Sequence, residues 1–280
     1  MPSYAIIGAS RGIGLEFAIQ LGKVAGNTVF AVVRNPDTAK KLEPVVSAHP
    51  NVHMIKGDME SAASLQSAVA DVSKITGGKL DYLIVNGARL LTANFQFTID
   101  KYAKLIAFVS PDAQTLETDL MDGFRINAVG AAHSANAFLP LLRKGGPKKI
   151  LFVASTAGDM DFAVANDFAN NCQYTASKSA MNMIAAQFAI ALKSEGFVVL
   201  AINPGMVNTM AEDPNDFQTV LNMVPDMVKK FKENYPEWNG LPITPTKSVS
   251  MVLDVLHKAG PESSGKLLSH HGDKAWFDSD

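Results

Sequence analysis

The chain has 280 residues, of which 47% are hydrophobic and 19% charged, and its formal net charge is −2. This composition allows a large core and argues against disorder, and the near-neutral charge provides no electrostatic footprint for nucleic acid or a membrane surface. The single cysteine, Cys172, excludes an internal disulfide framework, and the absence of a signal-peptide pattern or a long apolar run predicts a cytoplasmic protein.

Six short apolar runs, separated by longer stretches of helical periodicity, predict a parallel sheet. The strand candidates, in chain order, are Tyr4–Gly8, Thr28–Val33, Val52–Ile55, Leu80–Val85, Lys149–Ala154 and Val198–Asn203. Continuous apolar runs, rather than alternating ones, are typical of strands that helices cover on both faces. Each run is therefore predicted to be a fully buried strand.

Helix candidates lie between these strands. They are Ile13–Val24, Ser61–Val72, Leu116 to about Leu142, and Thr175–Leu192. Leu116, Leu120 and Phe124 repeat every four residues, which predicts one long helix that ends near Gly145. Repeated strand–helix units predict an α/β fold with a doubly wound parallel sheet of the Rossmann type. Because no linker divides the chain, residues 1–280 are predicted to form a single domain.

Two segments lack a clear period, Arg89–Ala113 and Met206–Pro245. Long loops in compact domains often bind ligands or cover a site. The second segment contains Met206, Met210, Phe217, Met223, Met227, Phe231, Tyr235 and Trp238. This composition fits a lid over an apolar site, and it equally fits an ordinary helix that buries its own stripe. Residues 206–245 are thus a candidate substrate loop or lid.

The first strand and the first helix are joined by a turn with the sequence Gly8-Ala-Ser-Arg-Gly12-Ile-Gly14. Glycines allow a sharp turn and a close approach to a pyrophosphate, and the N-terminus of the following helix attracts an anion. A tight turn without a ligand is the alternative. The residues predicted to bind a dinucleotide here are Gly8, Ser10, Arg11, Gly12, Ile13 and Gly14.

The residue at position 34 indicates whether the turn would bind NAD or NADP. Enzymes that use NAD carry an acidic residue about twenty positions after the last glycine, where it binds the ribose hydroxyls. Arg34 occupies that position, and no Asp or Glu lies between Gly22 and Pro36. A guanidinium there would bind a 2′-phosphate, and Arg11 could reach the same phosphate. The two arginines favour NADPH (NADP+) as cofactor, although they could instead be ordinary surface residues.

The segment Tyr174-Thr-Ala-Ser-Lys178 brings a phenol and an ammonium together. Residues four apart lie on one face of a helix, one turn from each other. A neighbouring ammonium stabilises the phenolate, and we expect it to move the pKa of Tyr174 from its ordinary value of about 10 toward neutrality. Such a pair is suited to acid–base catalysis.

The turn with spacing G-x-x-x-G-x-G and the polar residues that follow it resemble the short-chain dehydrogenase/reductase family. The matching residues are Asn127 in Phe-Arg-Ile-Asn, Ser155 after the fifth strand, Tyr174 and Lys178. The resemblance implies a catalytic tetrad in which Ser155 binds a carbonyl, Tyr174 donates a proton, Lys178 binds the nicotinamide ribose and Asn127 anchors a water. The segment from Ser264 to Gly272 is similar to the sniffer-type carbonyl reductase and C-signal-like branch.

The same resemblance implies further cofactor contacts at three strand ends. They are Asp58 and Met59 at the adenine, Asn86, Gly87 and Ala88 near the adenosine ribose, and Pro204, Gly205, Val207 and Thr209 at the nicotinamide carboxamide. Taken without the resemblance, Asp58 would be the N-cap of the next helix, and both roles can coexist.

The sequence departs from the family pattern in two places. Val85-Asn-Gly-Ala88 replaces the usual Asn-Asn-Ala-Gly, which should alter packing more than chemistry. Ser155 and Tyr174 are also farther apart than is usual, so Asp159–Gln173 is an insertion near the mouth of the site. It is expected to shape the pocket or to hinder an oligomer contact. The adjacent His270 and His271 are expected to be solvated, and no metal site is predicted.

Together these patterns predict NADPH-dependent reduction of an apolar or aromatic ketone, aldehyde or quinone to an alcohol, with Tyr174 as the proton donor. Two alternatives remain: a redox-neutral isomerase or dehydratase on the same fold, and a non-enzymatic protein that senses NADP or signals through it. The predicted partner is a small-molecule carbonyl substrate, with no nucleic acid and no membrane. A homodimer or homotetramer built through residues 116–142 and 175–192 is possible, as is a monomer.

Overall fold

The computed structural model describes residues 1–89, 99, 113–209 and 225–277, and within them seven parallel strands form one sheet. The strands are β1 (Ser3–Ile7), β2 (Thr28–Val33), β3 (Val52–Lys56), β4 (Tyr82–Val85), β5 (Lys149–Val153), β6 (Val198–Asn203) and β7 (Leu267–Ser269). Their order is β3-β2-β1-β4-β5-β6-β7, so the winding reverses between β1 and β4. The predicted doubly wound, single-domain fold is confirmed, with β7 as an additional strand.

Helices cover both faces of this sheet. They are α1 (Gly12–Gly22), α2 (Glu43–Ala48), α3 (Ala62–Thr76), α4 (Ala113–Gly123), α5 (Gly130–Leu142), α6 (Met160–Ala165), α7 (Cys172–Ala191), α8 (Pro225–Asn234) and α9 (Pro245–Lys258). Along β1, Ala5 and Ile7 pack in a core beneath α3, α5 and α7, whereas Tyr4 and Ile6 pack in a second core beneath α1 and α9. Two apolar faces explain why the strands read as continuous apolar runs.

The predicted helix from Leu116 to Leu142 is interrupted by a π-helical stretch, Phe124–Val129. A π-helical turn accommodates one extra residue and is frequent at functional sites. A Cβ atom on Gly123, the last residue of α4, would lie 2.9 Å from the main-chain oxygen of Gln173, so α4 packs closely on α7 just before the stretch. The repeat of four does not reveal the interruption, because the chain remains helical throughout.

Helix boundaries differ from the prediction where local capping decides them. Helix α3 runs on to Thr76 and ends at Gly77, whose φ of +64° is left-handed. Its N-cap is Ser61, whose hydroxyl accepts the N–H of Ser64 at 3.2 Å. The interpretation of Asp58 as the cap is therefore wrong, because its carboxylate instead accepts the N–H of Glu60 at 3.0 Å. Among the described residues, no helix combines the length and apolarity that crossing a bilayer requires.

Candidate active site

The glycine turn lies against the end of β4 at the carboxyl edge of the sheet. Gly8 has a φ of +84°, and a Cβ atom there would lie 2.6 Å from the Cα of Gly87. The side-chain amide of Asn86 donates to the main-chain oxygen of Gly8 at 3.0 Å, and the N–H of Gly87 donates to Ile7 at 2.8 Å. The departure from the family pattern after β4 thus places a glycine where two backbones meet.

Helix α1 starts at Gly12 and presents its N-terminus to the turn. The preceding Arg11 is extended and makes no side-chain capping bond, so the first N–H groups of the helix could bind an anion. Ser10 is half-buried, and the partly buried side chain of Ile13 packs against the core. A Cβ atom on Gly12 would lie 3.4 Å from the Cβ of Thr209, which brings the loop after β6 to the same place.

That loop, Pro204–Thr209, is held on three sides. The hydroxyl of Ser248 in α9 donates to the main-chain oxygen of Pro204 at 2.6 Å. Val207 pairs with Ile243 as an isolated bridge. The ring of His270 lies 2.9 Å from where a Cβ on Gly205 would be. His270 is buried, so the expectation of a solvated histidine pair is wrong for it, because it packs beneath this loop.

At the opposite end of the sheet edge, Arg34 follows β2 with its side chain 74% exposed. One Nη atom lies 4.0 Å from a carboxylate oxygen of Glu60, an acidic residue that sequence reasoning missed. Glu60 follows β3, so it reaches Arg34 from the neighbouring strand and falls outside the Gly22–Pro36 window. Arg11 and Ala88 are exposed, and Met59 is buried beside Gly87.

Ser155, Tyr174 and Lys178 meet at the end of β5. The hydroxyl of Ser155 accepts the N–H of Ala157 at 3.1 Å and is close enough to the hydroxyl of Tyr174 to influence its pKa. Lys178 is only 2% exposed; its Nζ donates to the main-chain oxygen of Val153 at 2.8 Å and lies 5.7 Å from the centroid of the Tyr174 ring. Helix α7 begins at Cys172, three residues earlier than predicted, so Tyr174 and Lys178 occupy its first two turns.

Burial sets the protonation of this pair. It lowers the pKa of Lys178 to about 7, because the buried ammonium loses its hydration. Burial also raises the pKa of Tyr174, and the hydroxyl of Ser155 offsets part of that rise. The expected lowering of the Tyr174 pKa by Lys178 is therefore not found. At neutral pH the phenol stays protonated, which suits a proton donor.

Asn127 is fully buried in the π-helical stretch, and both its side-chain oxygen and its side-chain amide group make hydrogen bonds. Its side-chain oxygen accepts the N–H of Arg89 at 2.7 Å, and its amide donates to the main-chain oxygen of Arg89 and to the hydroxyl of Ser177, each at 3.0 Å. Ser177 in turn donates to the main-chain oxygen of Tyr174 at 2.8 Å. Because both amide protons are used, the side chain positions the turn of Tyr174. Ser177, adjacent to Lys178, carried no sequence signal.

The insertion folds as α6 and joins an aromatic cluster. The cluster comprises Phe162, Phe168, Phe231, Tyr235, Trp238, Trp276 and Phe277. The buried amide of Asn166 donates to the main-chain oxygen of Phe162 at 2.8 Å, and its oxygen accepts from Asn234 of α8 at 2.9 Å. The insertion, α8 and the C-terminal segment therefore pack as one unit. The predicted lid residues Phe231, Tyr235 and Trp238 belong to the aromatic cluster, and Met206 and Met227 pack against it, whereas Met210, Phe217 and Met223 lie outside the described residues.

Comparison with known protein families identifies the family of this chain. The family model of short chain dehydrogenases matches residues 4–218, which include the glycine turn, Ser155 and Lys178. The chain belongs to the short-chain dehydrogenase/reductase family. The predicted resemblance is confirmed, and the protein is an oxidoreductase of a family that uses nicotinamide cofactors. No cluster of metal-binding side chains occurs in the ranges that the structure describes.

Two curated fungal relatives match along their entire length. The short-chain dehydrogenase/reductase atnB of Arthrinium sp is 37% identical over 283 residues, which covers 99% of this chain and 100% of that protein. The short chain dehydrogenase virK of Hypocrea virens is 32% identical over 280 residues, with coverage of 99% and 100%.

Solved structures show the same fold at lower identity. The NADPH-bound carbonyl reductase from chicken fatty liver has a TM-score of 0.75 and 24% identity, and 98% of each chain is covered. The carbonyl reductase Sniffer of Drosophila melanogaster has a TM-score of 0.75 and 21% identity, again with 98% of each chain covered. At these identities the likeness concerns the fold.

Proposed function

We propose that this oxidoreductase uses NADPH to reduce the carbonyl of an apolar or aromatic ketone, aldehyde or quinone to an alcohol, with Tyr174 as the proton donor. The observation that carries the proposal is the meeting of Ser155, Tyr174 and the buried Lys178 at the end of β5, with the Lys178 Nζ 5.7 Å from the centroid of the Tyr174 ring. A protonated phenol beside a second hydroxyl is an arrangement that can bind a carbonyl oxygen and then protonate it.

The residues at the sheet edge fit a dinucleotide. A Cβ atom would fill the gap between Gly8 and Gly87, and the N-cap position of α1 makes no side-chain capping bond that would compete with an anion. Arg34 and Arg11 are exposed cations beside it and favour the 2′-phosphate of NADPH. The remaining residues proposed to contact the cofactor are Ser10, Gly12, Ile13, Gly14, Asp58, Met59, Asn86, Ala88, Pro204, Gly205, Val207 and Thr209.

The chain's own residues then act at one oxygen atom. A bound nicotinamide would supply the hydride for the carbonyl carbon. Ser155 donates a hydrogen bond to the carbonyl oxygen as negative charge develops there, and Tyr174 gives that oxygen a proton. Lys178, whose pKa is about 7, can bind and release a proton at neutral pH and so resupply the phenol. Asn127 acts by holding the turn of α7 that carries Tyr174.

The aromatic cluster supports an apolar substrate. It joins side chains of the insertion that precedes Tyr174 to side chains of residues 225–240, and Met206 of the loop after β6 packs against it. We assign residues 206–245 as the substrate loop on this basis. Aromatic and methionine side chains are adaptable walls for an irregular apolar ligand.

The test is oxidation of NADPH by the purified protein against aromatic ketones, aldehydes and quinones, with NADH in parallel. We expect Tyr174→Phe to lower kcat by at least about a hundredfold, while the affinity for NADPH, read by its fluorescence, changes little. Tyr82→Phe is the matched control, because that tyrosine stacks on Tyr4 in β1, away from the end of β5.

Three outcomes would contradict the proposal. Full activity in Tyr174→Phe would remove the assigned proton donor. Conversion of a substrate without net loss of NADPH would indicate a redox-neutral isomerase or dehydratase. Tight binding of NADPH without turnover of any carbonyl, and unaffected by Tyr174→Phe, would indicate a sensor.

A further inference from the structure

Glu60 lies between two arginines at the adenosine end of the proposed site. One carboxylate oxygen is 4.0 Å from Arg34, and the other is 2.7 Å from an Nη atom of Arg125. The side chain of Glu60 is 21% exposed, whereas those of Arg34 and Arg125 are 74% and 57% exposed. Arg125 therefore holds the carboxylate closely, and Arg34 remains directed at solvent.

This carboxylate is a difficulty for NADPH binding. Arg34 is the residue proposed to bind the 2′-phosphate, and an anion 4.0 Å from its guanidinium both competes for it and repels a phosphate bound there. An acidic group near the adenosine ribose is also what NAD enzymes use to bind the ribose hydroxyls. Glu60 alone would therefore favour NADH.

Arg125 offsets that effect through a pair it makes with Glu60. Its second Nη atom donates to a carboxylate oxygen of Asp122 at 3.0 Å, and the other oxygen of Asp122 is 3.3 Å from Arg89. The ion pairs thus form a row in the order Arg34, Glu60, Arg125, Asp122 and Arg89, in which carboxylates and guanidinium groups alternate. Without Arg125, Arg34 would be the one cation of this row beside Glu60.

We infer that Arg125 determines cofactor specificity: because it holds Glu60 more closely than Arg34 does and neutralises its charge, Arg34 can bind the 2′-phosphate. Arg125 acts through another residue, so it is a positioning residue. It also lies in the π-helical stretch two positions before Asn127, so one irregular turn serves both ends of the cofactor site. The inference rests on the proposed use of NADPH.

The experiment measures the dissociation constants of NADPH and NADH, by fluorescence and calorimetry, for the wild type, Arg125→Gln, Glu60→Gln and the double variant. Adenosine 2′,5′-bisphosphate and 5′-AMP, which differ only in the 2′-phosphate, serve as probes of the contribution of that phosphate to affinity. We expect Arg125→Gln to reduce the preference for NADPH by about five- to tenfold, Glu60→Gln to increase it, and the double variant to return close to the wild type. Arg143→Gln, which breaks a similar pair with Glu195 (2.7 Å) after α5, should change nothing.

Each other result overturns the inference. Equal weakening of NADPH and NADH in Arg125→Gln would mean that Arg125 only supports the π-helical stretch. A lower preference for NADPH in Glu60→Gln would mean that Glu60 helps to bind the phosphate. An unchanged preference in Arg125→Gln, with a wild type that prefers NADPH, would contradict this inference alone, whereas a wild type without that preference would also contradict the proposed cofactor.

Discussion

The hydroxyl of Ser177 accepts a hydrogen bond from the side-chain amide of Asn127 at 3.0 Å and donates to the main-chain oxygen of Tyr174 at 2.8 Å. The side chains of Asn127 and Ser177 are both completely buried. A single hydroxyl therefore connects the π-helical stretch to the first turns of α7, where the proposed proton donor lies.

Removing this hydroxyl should affect both stability and turnover. Ser177→Ala leaves a buried amide proton of Asn127 without its acceptor, so we expect a loss of about 1–3 kcal/mol in the free energy of unfolding. Because the turn that carries Tyr174 loosens, kcat should fall more than KM rises. Urea denaturation and steady-state kinetics check both. Ser67→Ala is the control, since that hydroxyl bonds its own exposed helix; equal effects in both variants would contradict the prediction.

Lys178 should make stability depend on pH. Its pKa is about 7 in the folded protein and 10.5 ordinarily, so the unfolded chain binds more protons between these values. The burial penalty is therefore complete below pH 7 and is relieved as the pH rises toward 10. We expect Lys178→Met to be more stable than the wild type at pH 6, with the difference shrinking by pH 9, and to lack turnover. Urea denaturation at several pH values measures this, and a difference that does not change with pH would count against it.

The aromatic cluster should influence the substrate more than the cofactor. Phe231 is buried against Phe162 of the insertion and Phe277 of the C-terminal segment, at ring-centroid distances of 5.5 and 5.3 Å. Phe231→Ala should cost about 3–5 kcal/mol of stability and raise the KM for the carbonyl substrate, with the affinity for NADPH unchanged. Ile75→Ala, at an exposed position of α3, is the control. An equal loss of affinity for NADPH would show that the cluster supports the whole site.

The bond from Ser248 to Pro204 should matter at the nicotinamide end alone. Ser248→Ala removes a buried donor 2.6 Å from the main-chain oxygen of Pro204, so the loop after β6 loses one of its three supports. We expect the affinity for NADPH to fall by about fivefold, which corresponds to roughly 1 kcal/mol. The affinity for adenosine 2′,5′-bisphosphate, which lacks the nicotinamide, should stay the same. Ser250→Ala, exposed on the same helix, is the control, and equal weakening of both ligands would argue for general unfolding.

Much of the fold could be predicted because its signals are local. The six predicted strands are present with ends shifted by at most two residues, since each needs apolar side chains on both faces. The glycine turn could also be predicted from the sequence, because Gly8 must adopt a positive φ and leave room for the backbone of Gly87. Strand β7 was missed because its three residues are too few for an apolar run to stand out.

By itself, the sequence determined the doubly wound sheet, the family, and the order of Asn127, Ser155, Tyr174 and Lys178 along the chain. Only the tertiary structure decided how these residues are surrounded. Glu60 reaches Arg34 from the neighbouring strand, His270 packs beneath Gly205, and the insertion packs on α8 and the C-terminal segment. Backbone preferences and apolar periodicity act over a few residues and can be read along the chain. Ion pairs, burial and the pKa values that follow from them depend on groups far apart in sequence, so they exist only once the chain has folded.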